Sequence, residues 1–407
     1  MKEILQIFLV VVSTNFLCLS QIIEVPSDYL SIQTAINAAA DGDTIIVAEG
    51  TYYENINYLG KKITVASQFL IDGDIAHRDK TIIDGSRQGK PGNGSVVYFM
   101  SGEDTNSVLY GFTITGGTGT NSPPDYKYKA IAGGGIIISN SGAKIIYNKI
   151  SGNSVTGPRA SGGGIMVADP KGTVIICKNL IEENQVETKL SHGGGAGIFC
   201  IHTYDQEILI LQNIISNNSA VDKESLDAWG GGIKLKESDA KISNNLIVAN
   251  SASRGGGLGI SYPPDKEKWP KFINNTVVNN FANDVGGGIY TYSQEILLTN
   301  CIIWGNKAIS DSQVNGNVII EYSVIEEGYS GTGNIDENPL FVDSIYYQLK
   351  PLSPCVDAGN PSQIFNDPED PNKSGYALIP ALGMLRNDMG VFGGSEFKHL
   401  RNFENDR

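Results

Sequence analysis

The sequence predicts an all-β solenoid of short strands, and three observations carry that prediction. A Gly-Gly-Gly triplet followed by an apolar run occurs six times, beginning at Gly133, Gly162, Gly193, Gly230, Gly255 and Gly286. The spacings are 29, 31, 37, 25 and 31 residues. After each triplet comes a second apolar run and then two Asn bracketing Ile or Val. The pairs are Asn148 and Asn153, Asn179 and Asn184, Asn213 and Asn218, Asn245 and Asn250, and Asn275 and Asn280, every pair five residues apart. The third observation is compositional: 48 of 407 residues are Gly, well above the usual share of about 7%.

The repeat dictates the elements in order. Apolar residues alternate over two to four positions, as in Ile233-Lys234-Leu235-Lys236, so each run reads as a short strand with one face inward. One coil cannot bury its apolar face alone, so neighbouring coils stack. Gly and Asn are expected at the corners because both tolerate a left-handed backbone, and stacked Asn side chains can hydrogen-bond from coil to coil. The basic coil is expected near 25 residues with loops inserted into the longer ones; a propeller would need four strands in about 40 residues per repeat. Asn300 and Asn306 stand one residue further apart than the other pairs, so an irregular last coil is expected.

Residues 1–20 carry Lys2, an apolar run from Ile4 to Val12 and a second from Phe16 to Leu19, which reads as a signal peptide cleaved after Ser20. Residues 28–40 place Ile32, Ala35, Ile36 and Ala39 on one side of a short N-terminal capping helix, with Asp28 or Ser27 as its cap. Residues 21–333 are assigned to the solenoid with its N-terminal cap. Residues 334–407, rich in Pro, Asn and Asp, are assigned to a loop-rich C-terminal cap.

The hydrophobic share of 41% excludes a disordered chain. A net charge of −14 disfavours nucleic-acid binding. The composition also excludes collagen, coiled coil and a multi-pass membrane protein, and no later segment is long enough to span a bilayer. The mature chain would keep Cys177, Cys200, Cys301 and Cys355. An exported chain permits disulfides, but the first three lie in apolar strand-like runs and read as buried free thiols.

These repeats resemble the right-handed parallel β-helix, or pectin-lyase-like, superfamily. The Gly-Gly-Gly-Ile and Asn-x-Ile-x-x-Asn-Ser pattern also resembles repeats of polymorphic outer-membrane proteins. Ser31 to Ala39, Gly42 to Val47 and Gly50 to Asn55 look like the usual opening of exported β-helix proteins, continued by Ile83-Asp-Gly85 and Gly111 to Gly116. Asn338 to Asp343, Ser353 to Gly359 and Arg386 to Gly390 resemble the terminal module of a family described as choice-of-anchor. The resemblance implies a right-handed parallel β-helix that is secreted or held at the cell surface; it is specific for fold and weak for activity, because one fold hosts many functions.

Equivalent positions of successive coils stack at about 4.8 Å, so candidate residues can be arranged in columns. The column before each triplet reads Ala132, Ser161, His192, Trp229, Arg254, Val285. Outward positions of the following strands read Ile137, Met166, Gly197, Lys234, Gly259, Tyr290, and two further on Ser139, Ala168, Phe199, Lys236, Ser261, Tyr292. Aromatic residues suit the apolar faces of sugars and cations suit carboxylated ones. Gly197 and Gly259 would leave room for a ligand beside Lys234. Glu237, Asp239 and Asp227 could instead pair with the cations.

The expected function is binding, with cleavage as the stronger form, of an acidic polysaccharide containing uronic acid, resembling polysaccharide lyases of this superfamily. β-Elimination needs a base, a cation beside the carboxylate and an acid for the leaving oxygen. His192 or Lys234 would be the base, Arg254 would hold the carboxylate, and Tyr290 or Tyr292 would protonate the leaving group. Trp229, with Phe199, Lys236, Tyr292, Asp227 and Asp284, would bind substrate. Asp227 and Asp284 also allow hydrolysis by paired carboxylates. The clustered Asp, Gly-His and Arg-x-Lys signals of polygalacturonase-like members and the Asp-Pro-His motif of β-helix epimerases are both missing. No metal set is assigned: His192, Cys200 and His202 fit no ligand motif. The acidic loop from Asp367 to Asn372 is a weak candidate for Ca²⁺. The rival reading is a non-enzymatic surface or adhesive repeat protein. In either case the chain is expected to act as a monomer.

Overall fold

The computed structural model describes residues 20–87, 93–121, 130–189, 193–204, 206–224, 227–261, 270–292 and 296–395. The signal-peptide assignment therefore lies outside the described residues, except for Ser20. The chain is an all-β, right-handed parallel β-helix. Each full coil contributes strands to four stacks. Sheet I has eleven strands, from Ile22–Val25 to Val318–Glu321; sheet II has ten, from Gly50–Tyr52 to Val324–Ile325; sheet III has nine, from Ile56–Asn57 to Val314–Asn315. Sheet IV has five, from Ser154–Gly157 to Phe281–Val285, and leads the chain out to the glycine turn. Pairing within these sheets is parallel and, apart from a register shift between Ala252 and Arg254 in sheet IV, in register, as in the stack Ile136, Ile165, Ile198, Ile233, Leu258, Ile289. These six side chains are buried, and each contributes about 1.5–3 kcal/mol by leaving water. Because every coil repeats the same inward columns, one continuous apolar core runs from Ile23 to Ile325.

Two Asn ladders lock the coils. In the first, the Oδ1 atoms of Asn179, Asn213, Asn245 and Asn275 each accept the backbone N–H of the Asn one coil earlier, at 2.9–3.0 Å. The second runs from Asn153 through Asn184, Asn218, Asn250, Asn280 and Asn306 to Gln313. The backbone at the corners differs from the sequence expectation. The left-handed residue is the one before each ladder Asn: Tyr147, Lys178, Gln212, Asn244, Asn274 and Asn300 before the first ladder position, and Gly152, Glu183, Asn217, Ala249, Asn279 and Gly305 before the second. The ladder Asn is selected for its amide, which accepts and donates along the axis. The sixth coil adds no strand to sheet IV after Asn306, but its corner spacing is still five residues. Cys301 occupies the first ladder position, five residues before Asn306, and its N–H donates to Ser323 Oγ at 2.9 Å. Asn300 is the left-handed corner residue that precedes it.

The N-terminal helix is shorter than expected, spanning Ile32–Ala38, and its cap is Ser31, whose side chain accepts Thr34 N–H. Asp28 instead accepts Glu24 N–H at the end of the first strand. A seven-residue helix is not stable in isolation. It is held by burial of Ile32, Ala35 and Ile36, by Glu54, which accepts the N–H groups of Ile32 and Gln33, and by Lys61. Lys61 Nζ donates to the carbonyls of Ile36, Asn37 and Ala39 at 2.7, 2.8 and 2.6 Å. Lys61→Met keeps the aliphatic stem and removes all three bonds. It is expected to destabilise this end by about 1–2 kcal/mol, read as faster amide exchange at Ala35 and Ala39, whereas unchanged exchange would mean that burial alone holds the helix.

The C-terminal residues form loops rather than strands. Tyr329 Oη donates to Val318 O and Asn334 Nδ2 to Ile320 O, covering the last strand of sheet I. The chain then returns along the flank. The corner residues Asn244 and Asn274 donate to the carbonyls of Val391, Gly393 and Asp388, and Asn300 accepts Asn360 N–H. Cys177, Cys200, Cys301 and Cys355 are free and buried, and burial pushes each thiol up to about 12.

Candidate functional site

The outward column of sheet III corrects the sequence alignment at one coil. Its register is Ile137, Met166, Phe199, Lys234, Gly259, Tyr290. Phe199, not Gly197, is the neighbour of Lys234. The glycine turn of that coil begins at Gly195, whose φ of 63° matches those of Gly162 and Gly230. The column before the turn is therefore Ala132, Ser161, Gly194, Trp229, Arg254, Val285. His192 is not part of it and lies outside the described residues. The sequence held the signal: Gly193-Gly-Gly-Ala-Gly197 offers two frames, and counting back from the strand start at Ile198 selects the right one.

Lys234, expected on an open face, is 1% exposed. Its Nζ donates to Gly193 O at 2.8 Å and sits 5.4 Å from the Phe199 ring centroid and 5.3 Å from that of Trp229. Burial, aided by the nearby Lys236 charge and opposed by Asp227, lowers its ammonium to about 7. Phe199 is likewise buried, in a small cluster with Ala132, Ile137 and Met166. The room beside Gly259 is filled by the chain itself. A Cβ there would meet Gly230 N at 2.6 Å and Trp229 Cβ at 2.9 Å. Gly259 thus lets Trp229 fold down onto the sheet.

The remaining predicted residues do converge. Trp229 Nε1 donates to Asp227 Oδ1 at 2.6 Å. Arg254, at the end of the strand Ser251–Arg254, donates through Nε to Asp284 Oδ2 at 2.8 Å, and its Nη1 lies 3.6 Å from Asp227 Oδ1. The guanidinium carbon stands 5.7 Å from the Tyr290 ring centroid. The Tyr290 ring meets Trp229 edge-on at 5.0 Å, and Tyr292 lies 6.0 Å from Trp229. Tyr290 is buried and Tyr292 is 46% exposed. Burial raises the Tyr290 phenol from its ordinary value, while Arg254 pulls the other way. Lys236 is half-buried, level with Ser261 in the next coil. The exposed part of the site is thus a guanidinium between two carboxylates with a tyrosine shelf beside it, laid over a buried Trp and Lys.

His202 stands at the corner after sheet III, with Nδ1 3.3 Å from Asp169 Oδ1 and Nε2 3.6 Å from Glu237 Oε2; Cys200 points into the main core. In the acidic loop, Glu369 accepts Ser374 Oγ–H and Gly375 N–H, and Asp370 accepts Asn372 N–H. Asp367 is buried beside Asp388. Burial and the Asp388 charge push its carboxyl up to about 8, and burial pushes Asp388 to about 7. Among the described residues no group of three or more His, Cys, Asp or Glu is arranged to hold a metal.

With this geometry in place, comparison with family models agrees on the fold. A family model described as right handed beta helix region matches residues 70–245. Among solved structures, the chain is similar to an alginate lyase from Paenibacillus sp. str. FPU-7, at 14% identity over 73% of this chain and 99% of that one, with a TM-score of 0.34. It is also similar to the PL6 family alginate lyase AlyGC, at 14% identity over 77% of this chain and 53% of that one, with a TM-score of 0.18. No curated protein sequence matches the chain. No helix among the described residues is long and apolar enough to cross a membrane.

Proposed function

We propose that this chain is an exported protein that binds an acidic, uronic-acid-containing polysaccharide along the outer face between Trp229 and Tyr292. The observation that carries the reading is the setting of Arg254. Its side chain is 32% exposed, beside the Tyr290 ring, and its Nε is held by Asp284, itself 39% exposed. An arginine fork fits a carboxylate bidentately, so a uronate can take the place of Asp284 on the guanidinium while a sugar ring lies on Tyr292. Asp227 stays with Trp229 and keeps the fork oriented.

Two substitutions with opposite signs test this. Arg254→Ala is expected to weaken binding of a polyuronate at least tenfold. Asp284→Asn frees the guanidinium and is expected to strengthen it. Titration calorimetry at low salt reads both, and equal affinities across the three proteins would sink the proposal. Cleavage is the finer question. Burial keeps the Lys234 amine, and equally the Tyr290 phenol, from meeting a surface ligand, so elimination at this face would rest on Tyr292 and Arg254. The ultraviolet absorbance of unsaturated uronate, followed over pectin, alginate and glycosaminoglycans, reads it directly. Pairing of the Arg254 cation with two carboxylates favours binding without cleavage as the second reading, that of a surface or adhesive repeat protein.

A further inference from the structure

A separate cavity lies on the outer face of sheet I, near the N-terminal end. Its floor is the in-register row Thr64, Val108, Lys144 from three successive coils. Its walls are the turns at Asp41 and Asn106 and the Lys62 side chain, and its volume is about 460 Å³, within the range of about 300–1,000 Å³ typical of small-molecule sites. The two lysines differ. Lys62 Nζ is paired with Asp104 Oδ2 at 2.9 Å, and its backbone N–H donates to Asp41 Oδ1 at 2.9 Å. Lys144 is half-buried, and among the described residues no carboxylate lies within ion-pair distance of it. A half-buried cation without a counter-ion, beside the one apolar side chain of the floor, Val108, and a rim of hydroxyl, amide and carboxylate groups, is a selective arrangement. Val108 offers a surface for the apolar face of a ring, Thr64, Asn106 and Asp41 offer partners for its hydroxyls, and Lys144 offers the charge.

We propose that this pocket binds a single sugar unit carrying one anionic group. The site is independent of the Arg254 face, because it lies on a different sheet. A carboxylate and a phosphate would satisfy Lys144 alike, so the test uses galacturonate, galactose 6-phosphate and neutral galactose with the full chain. The readout is the amide chemical shifts of Thr64, Asn106 and Lys144. Both anionic sugars are expected to move these signals, and galactose at least tenfold more weakly. Lys144→Ala and Lys144→Gln, each checked for an unchanged melting temperature, are expected to bring the anionic sugars down to the galactose level. Val108→Trp fills the floor and is expected to abolish all three responses. Galactose binding as tightly as the acids, or Lys144 variants that bind like the parent chain, would overturn the proposal. The two readings fail separately. Silent pocket amides count against this site alone, whereas polyuronate binding unaltered by Arg254→Ala counts against the other face alone.

Discussion

Lys234→Met is expected to stabilise the chain at pH 7, by about 1–3 kcal/mol, the range seen when buried charges give way to apolar side chains of similar volume. The side chain is 1% exposed, and its lowered value of about 7 against an ordinary 10.5 records what burial of the charge costs, at about 1.36 kcal/mol per unit before offsets. The offsets include the Asp227 charge, the bond to Gly193 O and the rings of Phe199 and Trp229. The sign of the pH dependence follows. Between about pH 7 and 10 the unfolded chain holds a proton that the native lysine has released. Stability from this group is therefore full above the unfolded value and is lost as pH falls through that window to about 7. Urea midpoints at pH 7 and pH 9.5 should rise with pH in the parent chain and differ less in Lys234→Met. A variant that is weaker at pH 7 and keeps the same slope would show that the amine is held by something stronger than these contacts. The same variant separates structure from chemistry. Lys234 supports Trp229 from below, so polyuronate binding should survive its replacement, whereas loss of binding would return Lys234 to the site as a direct contact.

Lys234 also marks how far the sequence could be read. The solenoid was legible because each coil must solve the same problem, and the glycine turns and five-residue Asn spacing repeat that solution in plain view. Which residues point outward was legible too, since strand alternation sets it. What lies over the outward face was not. Trp229 reaches back over Lys234 because Gly259, a coil away, has no Cβ to stop it, and no local pattern encodes that cover. His192 entered the candidate site through a glycine run with two frames. The roles of Asn244, Asn274 and Asn300 were hidden differently. As corner residues they need only a left-handed backbone, which Tyr147, Lys178 and Gln212 also adopt in earlier coils. Their amides matter because the chain returns more than a hundred residues later for Asn244 and Asn274 to bind, a contact that no periodicity predicts. That Asp227 could pair with a nearby cation was legible, but that Asp284 would hold the Arg254 guanidinium needed the geometry.

Two adjacent asparagines should respond very unequally, and the contrast isolates what the ladder does. Asn218→Ala is expected to cost about 3–5 kcal/mol, the sum of a few buried groups left unpaired. Its Oδ1 accepts the backbone N–H and the Nδ2–H of Asn184, and its Nδ2 donates to Ile181 O and Asn250 Oδ1, all at 2.9–3.0 Å and fully buried. Removing the amide orphans groups in two coils, and no water reaches them. Asn217→Ala, one residue earlier, is expected to cost less than about 1 kcal/mol. That position needs only a left-handed backbone, with φ of 54°, and the next coil already places Ala249 there at the same φ. Asn218→Asp is expected to be at least as damaging as Asn218→Ala, because the carboxylate turns two donors into acceptors facing Ile181 O and Asn250 Oδ1. Urea unfolding of the three variants ranks them. Since each coil contacts mainly its neighbours, amide exchange should rise first around Asn184 and Ile181 and spread along the axis. Equal costs at 217 and 218 would mean that the corners, rather than the amide ladder, hold the coils in register.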